Sequence, residues 1–467
     1  MSVAEQTGSA SDKVLQTLKV YLEVRVLLVL FLGFSAGLPL ALSGATLLYW
    51  MAELNVDLGL IGLFSLVGTP YTLKFFWAPV VDAWKVPVFT RLLGRRRGWL
   101  ALSQVLLMVA IVFLGSLDPL TAPWWVALGA FLIALSSATQ DIVIDAFRVE
   151  SLDQDQQAAG MANYVAGYRV GYLLSSAGTL ILVEYFQRSG VDQSLIWSYA
   201  YTLMGALILV GLVAVLLSKE PASSAAYEEK LAAEEADGAN QLRRLWRTAY
   251  TAFADFLTKP YAIVILLFVL FFKFCDSFAG VMTGPFVVKI GFERVDYITM
   301  VKGVGFAAAL LGGFAGGLLA RALPLVQALW VAGILQMASN LVFAWLAWVG
   351  VNTAALGFTI MVENFTGGIG TVVFVAYLSS LTQNAAHTAT QFALLTSLAA
   401  VGRTYISSVS GYIADATGWI WFFIITAIAA APGFMLLAWL QSKGHFAQIE
   451  KEIAERKVAE AEATGEA

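Results

Sequence analysis

The chain has 467 residues, of which 59% are hydrophobic and 13% charged, with a net charge of −4 and a mean hydropathy of +0.76. Soluble domains are usually about 45–50% apolar and about 25% charged, so this composition excludes one. The excess is gathered into runs of about 20 residues or more, long enough for a ~30 Å hydrocarbon core. These unbroken runs are unlike the short alternating strands of a membrane β-barrel. The single cysteine, Cys275, lies inside an apolar run, and the two histidines, His387 and His445, lie outside such runs. A disulfide framework, a thiol metal site and a histidine-based catalytic centre within the membrane are therefore not expected. No signal peptide is visible, because the first apolar run follows a mostly polar stretch and is too long for an h-region.

Twelve apolar segments are predicted, at 25–51, 58–82, 98–116, 123–146, 159–186, 195–218, 260–290, 296–320, 325–349, 352–380, 388–413 and 418–441. Gly33, Gly37 and Pro39 in LGFSAGLP should allow close packing and bending of the first. The loop between the second and third holds Lys85, Arg91, Arg95, Arg96 and Arg97, and the connection between the sixth and seventh holds Lys219, Lys230, Arg243, Arg244, Arg247 and Lys259. The opposite loops ELNVD (53–57), SLDP (116–119) and ATGW (416–419) carry no lysine or arginine. By the positive-inside bias both termini are expected in the cytoplasm. The expected organisation is a cytoplasmic segment 1–24, a six-helix bundle 25–218, a cytoplasmic linker 219–259, a second six-helix bundle 260–441 and a charged cytoplasmic tail 442–467 that reads as a helix after Lys443. The linker starts as an acidic, small-residue stretch expected to be flexible. It ends in RRLWRTAYTAFADF, which reads as an amphipathic helix on the inner leaflet.

The two halves share faint similarity. VESLDQ (149–154) follows the fourth segment and LSSLTQ (378–383) the tenth, while GYRVGYLLSSAG (167–178) resembles VGRTYISSVSG (401–411). Such repeats fit two bundles related by an axis along the membrane normal, the arrangement of major facilitator transporters. APVVD (78–82) followed by GRRRG (94–98) resembles that superfamily's signature between helices 2 and 3, with Ala78 in place of its first glycine and several residues interrupting it. The fold class expected is thus an all-α membrane protein with the major facilitator fold, twelve transmembrane helices in two six-helix bundles.

A charge at bilayer depth costs at least ~2.5–3.5 kcal/mol on insertion scales, so it usually faces protein or a water-filled cavity. The deep basic candidates are Lys74, Arg169, Lys273, Lys302 and Arg403, against the acidic Asp141, Asp276 and Glu363. A cavity so lined would favour an anionic solute. Lys273 and Asp276 (i, i+3) form either a structural ion pair or a proton carrier tuned by its lysine. Lys74 has Tyr71 and Trp77 at i−3 and i+3, which suits a sugar-containing anion or, alternatively, a snorkelling lysine. Glu363 and Asn364 precede TGGIG (366–370), read as a flexible run or as a helix-packing patch. Arg403 shares an i+4 stripe with Gln391, Leu395, Ala399 and Ser407, whose small members leave space for a bidentate carboxylate; it is the leading substrate-binding candidate. Gln336 and Asn340 could bind sugar hydroxyls or bridge helices. Asp141, Asp145 and Arg148 in SATQDIVIDAFR lie on one helical stripe. Asp145 is expected in a cytoplasmic gate with Asp82, Arg148, Arg95, Arg96 and Arg97, and Asp141 in the cavity wall beside Gln140. The proton-coupling candidates are Asp276, Glu363 and Asp141.

FLGFSAGLPLALSGATL (31–47), GLFSLVGTPYTLKFFWAPVVD (62–82), GRRRGW (94–99), SATQDIVIDAF (137–147), GYRVG (167–171), GILQMASN (333–340), ENFTGGIGT (363–371) and ATQFALLTSLAAVGR (389–403) together resemble the AmpG muropeptide permeases, of the peptide–acetyl-coenzyme A transporter branch of the major facilitator superfamily. The resemblance runs over 25–441. It implies proton-driven import of N-acetylglucosaminyl-1,6-anhydro-N-acetylmuramyl peptides across the bacterial inner membrane, with roles in peptidoglycan recycling and β-lactamase induction. Some members of that family carry two further transmembrane helices; here both six-helix bundles are expected to be complete and to suffice for transport. The expected partners are a small amino-sugar peptide and membrane lipid, with no nucleic acid, no obligate protein partner, a monomeric state and no cofactor beyond the coupling proton. The rival readings are a transporter of another anion, such as an acyl-coenzyme A or a peptide, and a membrane enzyme acting on cell-wall precursors. The lack of a nucleophile–base motif weighs against the enzyme.

Overall fold

A computed structural model of the chain describes residues 19–153, 156–221, 257–381 and 388–452. The amphipathic helix expected at the end of the linker lies outside the described residues, as do the side chains of Asp82 and Gln391. Among the described residues, ten helical stretches are long and apolar enough to cross a membrane. In chain order they are α1 (Val24–Glu53), α2 (Leu58–Phe76), α3 (Arg95–Gly115), α4 (Pro123–Ser151), α6 (Gln193–Leu217), α7 (Ala262–Ile290), α8 (Arg294–Ala322), α9 (Leu325–Val349), α10 (Thr353–Leu381) and α12 (Trp419–Ser442). The fifth and eleventh expected segments are also helical: α5 runs through Gln157–Leu173, Leu174–Gly178 and Thr179–Arg188, and α11 through Thr388–Tyr405, Ile406–Val409 and Ser410–Thr417. They are less apolar because they carry Arg169 and Arg403 among glycines and serines.

Several helices are irregular for reasons legible in their residues. In α1 the ladder breaks at Gly44 (φ −119°, ψ −111°), a backbone open to glycine, just after Ser43, whose hydroxyl bonds back to the Pro39 carbonyl at 3.0 Å. The α5 irregularity is a π-turn over Leu174–Gly178, and that of α11 a 3₁₀ turn over Ile406–Val409. Each contains a Ser–Ser pair whose hydroxyls bond back to the helix, Ser176 to the Leu173 carbonyl at 3.2 Å and Ser408 to that of Tyr405 at 2.6 Å. Such back-bonding competes with the backbone ladder. The two segments that resemble each other in sequence therefore share an interruption at the same dipeptide.

By its contacts the chain divides into two compact units, Met1–Leu47 with Val67–Arg244, and Leu48–Leu66 with Leu245–Ala467. The division departs from the boundary expected between 25–218 and 260–441 in one respect: Leu48–Leu66 groups with the second half. The cause is close contact between glycines, since a Cβ on Gly62 would come within 2.8 Å of the Gly411 nitrogen, and one on Gly411 would overlap the Leu58 carbonyl.

In the first unit α1 lies against α5 with glycine on both sides. A Cβ on Gly33 or Gly37 would overlap the backbone carbonyls of Tyr164 and Tyr168, and one on Gly167 or Gly171 those of Leu30 and Phe34. The expected close packing of α1 is thus present, and α5 is its partner. Leu32, Val81, Trp99, Leu100, Val143, Phe147 and Val215 belong to one buried cluster of this core, and Val26, Val29, Leu152 and Ala159 form another. In the second unit α8 and α10 approach in the same way, through Gly312 and Gly316 on one helix and Gly368 on the other. TGGIG (366–370) is accordingly not a flexible run: it lies inside the continuous helix Thr353–Leu381, and its glycines serve packing.

Stacked rings of Phe272 and Phe374, 5.2 Å apart, centre the core of the second unit, which also takes in Phe446 and Ile449. Residues 445–452 are helical, in keeping with the helix expected in the charged tail, and they also bury two apolar side chains. His445 is buried with them, its Nε2 3.2 Å from the Tyr377 hydroxyl.

Substituting Gly37→Leu should destabilise the protein by about 1–3 kcal/mol through overpacking. Gly280→Ala, at a helical glycine with nothing within 4 Å of the new Cβ, should be neutral or gain up to about 1 kcal/mol; thermal unfolding in detergent compares the two. Burial, aided by the Lys259 charge and opposed by Glu452, pushes the His445 pKa from 6.5 down to about 4. The buried histidine thus binds fewer protons than the released one, and its contribution is present above pH 6.5 and lost as pH falls towards 4. Proteolysis of the 445–452 segment should accelerate over that window, and His445→Asn should remove the pH dependence.

Candidate functional site

The second unit holds a polar cluster deep within its helices. Helix α7 is interrupted at Lys273 (φ −94°, ψ 5°), between Ala262–Phe272 and Phe274–Ile290. The Lys273 ammonium bonds the Asp276 carboxylate at 3.1 Å. Opposite them, α10 presents Glu363, Gly367 and Gly370 at i, i+4 and i+7, one stripe of a helix. Each glycine makes room for a polar group: a Cβ on Gly367 would lie 3.9 Å from Asp276 Oδ1, and one on Gly370 would lie 2.5 Å from the Gln336 carboxamide carbon. Glu363 Oε2 accepts from Asn364 Nδ2 at 2.6 Å, and the same nitrogen donates to the Ile360 carbonyl. The charges of Asp276, Lys273 and Lys302 act on Glu363, yet it has no ion-pair partner among the described residues. Lys302 lies 5.1 Å from the Tyr297 ring centre. Asn340 donates to the Cys275 carbonyl at 3.5 Å. Gln336 is 1% exposed, and neither its amide nitrogen nor its oxygen is hydrogen-bonded. The sequence candidates Lys273, Asp276, Lys302, Gln336, Asn340, Glu363 and Asn364 are thereby brought together.

The first unit holds a second cluster. Lys74 acts electrostatically on both Asp141 and Asp145, and Arg148 on Asp145. Asp141 Oδ1 and both polar atoms of the Gln140 side chain are sealed from solvent without a hydrogen bond. The Trp77 indole N–H donates to Thr139 Oγ1 at 3.2 Å, and the ring joins the apolar cluster around Trp99. Tyr71 lies on the short helix Thr69–Leu73 just before Lys74. All three clustered lysines sit at irregular turns: Lys74 opens the 3₁₀ turn Lys74–Phe76, Lys273 breaks α7, and Lys302 lies in the π-turn Tyr297–Val304. Irregular turns of this kind are frequent at functional sites. Arg169 and Arg403, read from sequence as lying at bilayer depth, have exposed side chains.

Among the expected gate residues, Arg96 pairs with Glu150 through Nη2 at 2.6 Å and Nε at 3.1 Å. Arg97 donates to the backbone carbonyls of Val215 and Leu216, and Arg148 to Gln157 at 3.3 Å. Arg95 is 1% exposed, and Asp145 is exposed. The backbone N–H groups of Arg96 and Arg97 donate to the two Glu220 oxygens at 2.8 and 3.1 Å, an acidic cap suited to a helix N-terminus. Gly94 (φ +92°) makes this possible, since a Cβ there would collide with the Glu220 side chain. Glu150 and Glu220 escaped the sequence reading; their signal was an acid at the end of each of two helices on the arginine-rich side.

A further missed pair joins Glu53 and Arg294 within the second unit. Arg294 Nε and Nη2 reach the two Glu53 oxygens at 2.9 and 3.0 Å. Lys289 donates to Asn55 Oδ1 at 3.0 Å, and Thr353 to Asp296 Oδ1 at 3.0 Å. An acid closing one apolar run and an arginine opening another were the available signal.

Two six-segment halves with charged clusters among their helices are the frame of a solute carrier, and the Major Facilitator Superfamily profile matches residues 29–407. The chain belongs to the Major Facilitator Superfamily. It is 39% identical over 423 residues to the anhydromuropeptide permease of Escherichia coli K12, over 90% of this chain and 81% of that one, which places it in the AmpG family. It is 29% identical to the putative transporter AmpG 4 of Rickettsia felis, over 91% and 98% of the two chains. Among solved structures, an inward-facing bacterial homologue of the lysosomal transporter Spinster superposes with a TM-score of 0.63 at 14% identity, over 90% and 97% of the chains. A POT family transporter in complex with a thioalcohol-conjugated peptide gives 0.62 at 14% identity, over 90% and 96%. These two establish the fold. This major facilitator protein is a multi-pass membrane transporter and not an enzyme.

Reversing one charge of the Glu53–Arg294 pair, as in Arg294→Glu, should lower stability by about 2 kcal/mol, the scale of hydrogen bonds to charged groups. The double change Glu53→Arg with Arg294→Glu should recover most of it, as read by thermal unfolding of the four-member cycle.

Proposed function

We propose that this transporter imports anhydromuropeptides, N-acetylglucosaminyl-1,6-anhydro-N-acetylmuramyl peptides, across the bacterial inner membrane by alternating access, coupled to protons and with both termini in the cytoplasm. The observation that carries the substrate is the 39% identity to the E. coli anhydromuropeptide permease, sustained along 90% of this chain and so through both units. The chemistry of the clusters supports it. Such a solute offers carboxylates, amides and sugar hydroxyls. Lys74, Lys273 and Lys302 supply cationic donors, while Gln140 and Gln336 hold unpartnered amides, the groups needed to recognise hydroxyls and amides.

For coupling, Glu363 is the favoured proton carrier. Asp276 is balanced by Lys273 at 3.1 Å, so its charge is already compensated. Glu363 has only the Asn364 amide, a donor that a protonated carboxyl can also retain through its carbonyl oxygen. Binding or release of a proton at Glu363 changes the net charge beside Lys273 and Lys302, and so changes how strongly those lysines hold an anion.

Uptake of labelled N-acetylglucosaminyl-anhydro-N-acetylmuramyl tripeptide into proteoliposomes tests both parts. One net charge moved through 100 mV is worth about 2.3 kcal/mol, which raises the accumulation ceiling about fifty-fold; an uncoupler should collapse it. Glu363→Gln keeps the hydrogen-bond acceptor for Asn364 but not the titration. It should retain exchange of internal for external substrate while accumulation falls to the level of the uncoupled protein. Accumulation unchanged in Glu363→Gln would remove that residue from the coupling step, and absence of any uptake by folded protein would redirect the substrate reading to another anionic solute.

A further inference from the structure

A groove of about 360 Å³ opens on the first unit between α3, α4 and the segment after α2. One wall is a stripe of α3, Leu106, Val109 and Phe113, of which Leu106 and Val109 are 49% and 62% exposed. Trp77, Trp84 and Trp99 close one end. The tryptophans are anchored: the Trp99 indole N–H donates to the Trp84 carbonyl at 2.8 Å, the two rings meet edge to face at 6.1 Å, and the Trp77 indole is held by Thr139.

Two of the three hydroxyl side chains along the groove, Ser103 and Thr139 but not Ser136, are committed elsewhere. Ser103 Oγ donates to the Leu100 carbonyl at 3.0 Å, and Thr139 Oγ1 donates to that of Leu135 at 2.8 Å while accepting from Trp77. The groove thus offers carbon surface and almost no hydrogen-bonding capacity. An amino-sugar peptide seated there would leave its polar groups unpaired, a loss of about 1–3 kcal/mol each. Leu106 and Val109 belong to a membrane-crossing helix, so the medium that reaches the open side is hydrocarbon.

Basic residues follow the tryptophan end in the chain. Exposed Lys85 follows Trp84, and exposed Arg91 lies on the short helix Phe89–Leu93, whose Phe89 packs in the same cluster as Trp99. Tryptophan is enriched at the headgroup level of membranes, and basic side chains there attract anionic lipid.

We propose that this groove is a binding site for one anionic phospholipid, an acyl chain lying along Leu106, Val109 and Phe113 and the phosphate held at the Trp84 end by Lys85 and Arg91. The occupant is bilayer lipid rather than transported solute, so the site is independent of the substrate reading above.

Native mass spectrometry of the full chain in detergent, titrated with palmitoyl-oleoyl phosphatidylglycerol or the phosphatidylcholine of the same chains, tests it. The wild type should prefer phosphatidylglycerol. Lys85→Gln and Arg91→Gln should each weaken phosphatidylglycerol binding about fivefold and leave phosphatidylcholine unchanged. Val109→Trp, at an exposed position where folding is not at stake, should block the groove and lower binding of both lipids at least about tenfold, and Leu106→Trp should do the same. Equal binding of the two lipids by the wild type would overturn the anionic assignment. Wild-type lipid retention in both tryptophan variants, or a change only in self-association, would overturn the site itself, the latter by identifying a second copy of the chain as the occupant.

Discussion

Hydrocarbon tails are as apolar as leucine, so helices in a bilayer gain little by burying one leucine against another and associate through close packing and polar contacts. The approach of backbones across glycine is the constraint on which the rest of this structure depends. Gly33 and Gly37 meet α5 while Gly167 and Gly171 meet α1, and the same device joins α8 to α10 and the start of α2 to α11. Where the glycine stripe of α10 turns from α8 towards α7 and α9, it makes room for a polar side chain instead of a backbone. Gly367 faces Asp276, and Gly370 faces Gln336. Packing and site construction therefore draw on one property, the missing Cβ.

The second organising feature is the placement of cations on irregular backbone. Lys74, Lys273 and Lys302 each occupy a 3₁₀ turn, a helix break or a π-turn. In such turns carbonyls lose their regular donors and side chains leave the regular 3.6-residue stripe. A lysine there can reach towards a carboxylate on a neighbouring helix, and the local ladder is already weakened where a transporter must deform. Two carboxylates take the opposite placement: Asp141 and Glu363 lie within regular stretches of α4 and α10, whereas Asp276 follows the break at Lys273.

The arginine-rich loop follows an electrostatic logic of its own. Three consecutive arginines at the start of a helix oppose its dipole. The structure answers with acids from elsewhere, Glu220 capping the N-terminus and Glu150 pairing with Arg96, while Arg97 satisfies the terminal carbonyls of α6. The ends of α3, α4 and α6 are thereby joined at one point of the first unit.

Much of the fold was legible in the sequence, because membrane-spanning length and apolarity are properties of each segment alone: all twelve segments are helical, and the AmpG resemblance named the family. The residues of the second-unit cluster were also legible, since a charge in an apolar run is conspicuous whatever surrounds it. Partnerships were not. The i, i+4, i+7 stripe singled out Asp145 and Arg148 but gave no sign that Arg96 would pair with Glu150, and the flexible reading of TGGIG failed because the glycines that loosen an isolated helix tighten a packed one. Position in the segment marked Arg169 and Arg403 as deep, but their exposure depends on which face a neighbouring helix covers. A single chain determines which residues enter the membrane; only the tertiary structure decides which of them meet, because contact between helices is fixed by their rotation and separation, and neither is encoded in the composition of one helix.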